Sequence, residues 1–200
     1  SPEKIDYVLM THMHHDHSGG LTRVNSEGNL VSKFPNAKII VNDIEWYEMR
    51  NPNNRTRGTY LKENWEPIQD QVTTFSDSVE IIPEIQMIHT SGHSNGHCII
   101  LLKQGEDTMI HMGDLMLTHV HRNPLWVPAV DDYPMKSISA KDKWLRQAFE
   151  NNYKFFFYHD QFFAVAEFDK EGKEFVNYVL RSRPPVIPFT EQQDRRPDFL

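Results

Sequence analysis

A single cysteine in 200 residues, Cys98, cannot form an intrachain disulfide. That suits a reducing compartment, and a cytoplasmic location is the expectation that follows. Cys98 lies in His97-Cys98-Ile99-Ile100-Leu101-Leu102, an apolar strand pattern, so its thiol is expected to be buried and inert. No stretch resembles a transmembrane helix, so no membrane partner is expected. No Gly/Ser linker or internal repeat divides the chain, which makes one domain the default. Basic residues form no cluster. Lys and Arg number 21 against 28 Asp and Glu, a net charge of −7. Nucleic-acid binding needs a cationic face to neutralise phosphates, so that partner is disfavoured.

What the chain does contain is a dense group of metal-ligand types. His12, His14, Asp16 and His17 fall within six residues of Thr11-His12-Met13-His14-His15-Asp16-His17-Ser18-Gly19-Gly20, directly after the apolar run Ile5-Asp6-Tyr7-Val8-Leu9-Met10. Side chains at i and i+2 of an extended segment point the same way, so His12 and His14 can converge on one cation. Asp16 and His17 lie past the strand end, where a turning backbone can aim them at a second. Gly19 and Gly20 then permit the turn. A histidine-rich surface loop without metal is the bland alternative. It is disfavoured because the tract follows a buried-looking strand and includes an acid at a ligand position.

The pattern His12-x-His14-x-Asp16-His17 resembles the signature of the metallo-β-lactamase fold superfamily, mostly hydrolases with one or two metals at the top of an αββα sandwich. The resemblance implies an α/β fold of that type. In that family several strands of the first sheet precede this motif, so the chain is expected to lack the N-terminal part of the fold. The hydrolase domain is then expected over residues 1–180, followed by a Pro-rich arm over 181–200.

Downstream, Ala37 to Val41 reads as a strand, and Asn42 with Glu45 as a capping box for a helix that stops at Asn51-Pro52. Residues 22–35 show no sustained period, and residues 53–71 are polar with Tyr60, Leu61 and Trp65 interspersed. Val79 to Ile82, Ile85 to His89, Cys98 to Leu102 and Met109 to Met112 are strand candidates. A second helix is expected from about Ala140 to Asn151, capped by Ser139 and Asp142, with an apolar stripe of Trp144, Leu145, Ala148 and Phe149. Lys154 to Tyr158 reads as a further strand, and Phe162 to Leu180 as a closing hairpin around Lys170-Glu171-Gly172-Lys173.

Three of these segments repeat one design, an apolar strand leading to a ligand: His93 after Ile85–His89, Asp114 after Thr108–Met112, and His159 after Phe155–Tyr158. Loops at strand ends project side chains from a rigid scaffold. By resemblance, His12, His14 and His93 hold one metal, Asp16, His17 and His159 the other, and Asp114 bridges. Nitrogen and oxygen donors without thiolate point to two divalent ions, zinc first, with manganese, cobalt and iron as alternatives. His97 is expected to buttress a ligand rather than be one. His15, His89 and His111 are placed outside the ligand set.

Two cations sharing a hydroxide bring its pKa to near neutrality, which supplies a nucleophile without a dedicated base, and Asp16 is placed to move a proton. The segments Gly113-Asp114-Leu115-Met116, His119-x-His121-x-Asn123-Pro124-Leu125-Trp126, Asp131-Asp132-Tyr133-Pro134-Met135 and Phe157-Tyr158-His159-Asp160 resemble the YtnP-type quorum-quenching N-acyl-homoserine lactonases. That resemblance implies opening of a small acyl lactone by a metal-bridging hydroxide. Better-studied lactonases carry a tyrosine three residues past the bridging Asp, where this chain has Leu117. The carbonyl contact is therefore expected from Tyr158, His119 or His121, and the acyl chain against Trp65, Trp126 and Tyr133. Another ester, a phosphotriester or a thioester is the alternative substrate. A di-iron oxidoreductase is disfavoured, because those relatives carry glutamate at the position of His14, and a non-catalytic binding protein is disfavoured because no ligand is lost. A homo-oligomer remains open.

Overall fold

Alternation of side chains along the strands decides the layering. The structure, a computed structural model, describes residues 1–182, so the expected arm lies from residue 183 onward outside the described residues. In chain order the strands are β1 (Tyr7–Leu9), β2 (Thr22–Val24), β3 (Leu30–Ser32), β4 (Lys38–Asn42), β5 (Val72–Phe75), β6 (Ser78–Ile82), β7 (Ile85–His89), β8 (Cys98–Gln104), β9 (Asp107–His111), β10 (Lys154–Phe156), β11 (Phe163–Phe168) and β12 (Phe175–Leu180). The helices are α1 (His15–Ser18), α2 (Asp43–Arg50), α3 (Lys62–Trp65) and α4 (Pro134–Glu150).

Strands β1, β4 and β5 form a small parallel sheet. Strands β6 to β12 form a seven-stranded sheet in sequential order. Its neighbours are antiparallel except β9 and β10, and that parallel pair needs a crossover, which α4 supplies. In β4, Ile39 and Val41 point to α2 while Ile40 points to the other sheet. In β8, Ile99 and Leu101 point to α4 while Cys98 and Ile100 join Ile40 and Met87 between the sheets. Each strand thus seals two interfaces, and the chain forms the αββα sandwich. Helix α4 buries Ser137, Lys141, Trp144, Leu145 and Ala148 along one stripe. Among the described residues no helix is long and apolar enough to cross a membrane. Cys98 is fully buried, and burial pushes its thiol up.

Three expectations need correction. Helix α4 begins at Pro134, six residues before Ala140, with proline in its first turn. Ser139 bonds back to Met135 O inside the helix and Asp142 pairs with Arg146, so neither caps it. The hairpin β2–β3 forms within residues 22–35, where largely exposed strands leave no apolar period and Asn25 Oδ1 closes the turn by accepting from Glu27 and Asn29 N–H. Asn42 does cap α2, accepting from Ile44 N–H, but Glu45 does not reach back to it and is fully buried instead. At the other end, Arg181 stays bonded into the domain: its guanidinium donates to the carbonyls of Phe157, Tyr158 and Asp160.

Candidate metal centre

The segment after β1 runs along the rim where the two sheets meet. Met10 N–H donates to Ile40 O in the small sheet, and Thr11 O accepts from Cys98 N–H in the large one. His12 and His14 leave this doubly anchored stretch on the same side. His14 then begins the single turn of α1, its carbonyl accepting from His17 and Ser18 N–H, which swings Asp16 and His17 to the far side of the group. His93 comes from the loop between β7 and β8, Asp114 from the turn after β9, and His159 from the loop after β10.

These side chains converge in two sets whose donor atoms lie within 4.8 Å of one another: His12, His14 and His93, and Asp16, His17, Asp114 and His159. Asp114 presents one oxygen to each. Its Oδ2 lies 3.3 Å from His93 Nε2 and 3.8 Å from His12 Nε2, while Oδ1 lies 3.2 Å from His17 Nε2 and 3.4 Å from His159 Nε2. Asp16 Oδ2 is 3.4 Å from both His17 and His159. Among the described residues the buried side-chain atoms without a hydrogen-bond partner are His12 Nε2, His14 Nε2 and Asp114 Oδ1, all in this group. Each such orphan costs about 1–3 kcal/mol. Cations at the two foci would satisfy lone pairs that the protein leaves unmet, so the residues present fit a pair of ions.

Electrostatics agree with that fit. Burial, then the neighbouring imidazoles, holds His12 well below its ordinary pKa, and burial with His93 beside it brings His14 to about 3. Both are neutral near pH 7, as ligation requires. For His93, burial would lower the pKa, but Asp131 and Asp114 carry it upward; the Asp114 carboxylate raises that of His159. Burial of Asp114 is outweighed by His159 and His17, which hold its carboxyl well below the usual range.

Polar partners fix the ligands from behind. Thr11 Oγ1 meets His12 Nδ1 at 3.2 Å, and Asp131 Oδ1 meets His93 Nδ1 at 2.8 Å. Asp131 is in turn held by Ser137 Oγ, from α4. His97 lies behind Asp114, its Nε2 accepting the Asp114 backbone N–H at 3.1 Å. Gly113 adopts φ +52°, and a Cβ there would sit 2.5 Å from His97 Nε2. At Gly96 a Cβ would lie 2.1 Å from the backbone N of Glu45, so the His93 loop rests directly on α2. Gly96→Ala is expected to lift that loop and cost about 1–3 kcal/mol, measured as a fall in the denaturation midpoint. An unchanged midpoint would mean that the loop yields freely.

A cleft of about 410 Å³ opens over His14, Asp16, His93 and Asp114. Arg55, Thr56 and Thr59 line it from the segment before α3, and Ala129, Val130 and Asp132 from the segment before α4. Arg55 joins the two segments, bonding Asp132 and the carbonyls of Ala129 and Asp131. The residues expected to contact substrate have the following partners. His119 Nδ1 is clamped on Asp160 Oδ2 at 2.6 Å, with its ring against Phe163 and Phe175. His121 Nδ1 is paired with Thr118 Oγ1. Tyr158 packs against His17 and His159, and its hydroxyl donates to Asp16 O, so its half-exposed ring stands beside the centre. Trp65 packs on Trp46, Trp126 stands 56% exposed outside, and Tyr133 reaches Glu48. Among the described residues, none of these three aromatics lines the cleft. Arg55, Asp131 and Glu45 are the residues that sequence reasoning missed as parts of this centre. Each acts on a segment distant in the chain, and no local pattern marks such a contact.

The model of the metallo-beta-lactamase superfamily matches residues 1–159. An N-acyl homoserine lactonase of Bacillus cereus is 30% identical over 109 residues, covering 54% of this chain and 37% of its own length. A hydroxyacylglutathione hydrolase of Aeromonas hydrophila is 30% identical over 94 residues, covering 47% of this chain and 28% of its own. The crystal structure of a probable metal-dependent hydrolase from Staphylococcus aureus superposes with a TM-score of 0.87 at 40% identity, covering 92% of this chain and 65% of that one. The chain thus spans about a third of the curated relatives it matches.

Proposed function

The chain belongs to the metallo-beta-lactamase superfamily, and on that premise we propose that it is a dinuclear metal-dependent hydrolase that opens a small, uncharged acyl lactone. The observation that carries the reading is Asp114, one carboxylate oxygen facing each ligand set. In this reading His12, His14 and His93 hold one cation, Asp16, His17 and His159 the other, and Asp114 both. The nitrogen and oxygen donors favour zinc. When bound, such a pair polarises a carbonyl oxygen and makes water a nucleophile near neutral pH.

The chain's own residues supply the rest. Asp16 lines the cleft and is 44% exposed at its side chain, which leaves it room to take and return a proton. Asp131 holds the His93 ring so that Nε2 faces the centre. Arg55, Thr56, Thr59 and His15 line the cleft and supply hydrogen bonds to substrate oxygens. With Ala129 and Val130 as the apolar lining, the cleft suits a lactone of modest acyl length.

The −7 charge and lack of a cationic cluster weigh against polyanionic substrates. A panel of acyl lactones, phosphotriesters, β-lactams and thioesters on the full-length protein tests the reading, with the lactone expected fastest. The hydroxyacylglutathione hydrolase relative favours a thioester as the second reading. A lactone no better than the phosphotriester or thioester would remove the lactonase assignment.

A further inference from the structure

We infer that Glu45 is a positioning residue for one ion of the pair, the one assigned to His12, His14 and His93. This inference rests on the dinuclear reading above. Glu45 sits in the first turn of α2 and is fully buried. Its Oε1 accepts from Met13 N–H at 2.8 Å and from Tyr60 O–H at 3.0 Å, and its Oε2 from Ser94 O–H at 2.6 Å.

Each donor adjoins a ligand of the same set. Met13 separates His12 from His14, Ser94 follows His93, and the Tyr60 ring lies 5.1 Å from that of His14. The carboxylate therefore pins two segments, 79 residues apart at His14 and His93, at the spacing that brings His14 Nδ1 to 3.0 Å from His93 Nε2. It makes no hydrogen bond to Asp16, His17, Asp114 or His159 or to a residue next to them among the described residues.

Charge supports the same assignment. Among the described residues Glu45 forms no ion pair with Lys or Arg. Burying an unpaired carboxylate is costly, and folding alone would be served as well by a neutral side chain of similar size. The three-histidine set is where a negative charge is short. Its own ligands are all imidazoles and it shares Asp114, whereas the other set has Asp16 as well. Glu45 supplies that charge from behind the ligands, through the Met13 amide and the Ser94 hydroxyl.

The test is a zinc titration of metal-free full-length protein against a competing chelator dye, with bound metal counted by elemental analysis and apo folding followed by circular dichroism. Glu45→Gln keeps the size and removes the charge. It is expected to weaken one of the two binding steps about 10–100-fold and leave the other as in the wild type. A merely structural role would weaken both steps alike. Ser94→Ala removes one donor to Glu45 and leaves every ligand in place, and it should weaken the same step by a smaller factor. If Glu45→Gln does not fold, Ser94→Ala decides. Two unchanged steps in whichever variant folds, or equal loss in both, would overturn the inference and leave the dinuclear reading standing. A wild-type protein that binds fewer than two ions would instead remove the reading itself.

Discussion

Asp114→Asn is expected to lose both metal ions and hydrolytic activity together. The asparagine has the same size, so the turn after β9 and the backbone contact with His97 can remain. What changes is the charge between two sets whose nearest nitrogens lie 3.2 to 3.4 Å from its oxygens. An amide presents one weakly basic oxygen and an NH₂ group, so one set would face a donor instead of an acceptor. The loss should exceed the ~10–100-fold typical of removing an outer partner. His97→Ala provides the comparison, because His97 bonds the Asp114 backbone N–H and, among the described residues, hydrogen-bonds no ligand side chain. Its affinity loss should fall inside that outer-partner range. Equal losses in the two variants, measured by elemental analysis and turnover at saturating zinc, would show that the ligand set is misplaced.

Metal-loaded full-length protein should hold two ions per chain, and removing them with a chelator should abolish turnover until metal is restored. One ion or none after careful loading would contradict the two-set arrangement. The affinity should also fall as the pH is lowered, and the sign follows from the ligands. His93 and His159 have raised pKa values in the metal-free protein, so they retain protons to higher pH than an ordinary imidazole, and each proton competes with a cation for the same lone pair. His14, at about 3, and His12, also held low, are already neutral and add no such competition in the physiological range. Zinc binding near pH 6.5 should therefore release protons, seen as a heat of binding that varies with the ionisation enthalpy of the buffer. Binding without proton release would mean that His93 and His159 are not both ligands.

The sequence by itself determined the kinds of group at this centre and the order in which the chain supplies them. A strand followed by His12-x-His14-x-Asp16-His17 encodes its geometry locally, because alternation aims His12 and His14 together and one turn re-aims Asp16 and His17. Strand ends before His93, Asp114 and His159 were legible as apolar runs leading to a ligand type, whereas the αββα layers followed from resemblance to the family, since β4 and β8 are buried on both faces and carry no period-two pattern. Tertiary structure decided what surrounds these groups. Glu45 had the spacing of a helix cap, yet burial between Met13, Tyr60 and Ser94 gave it another task. His119 and Tyr158 carried the right chemistry for substrate, and only the fold set their partners, Asp160 for His119 and the Asp16 carbonyl for Tyr158, and put Arg55 and two threonines along the cleft. A ligand motif is short-range and survives inspection one residue at a time. The partner of a buried carboxylate or the lining of a cleft depends on residues brought together from 15 to 142 positions apart, and only packing of the two sheets and their helices sets that choice.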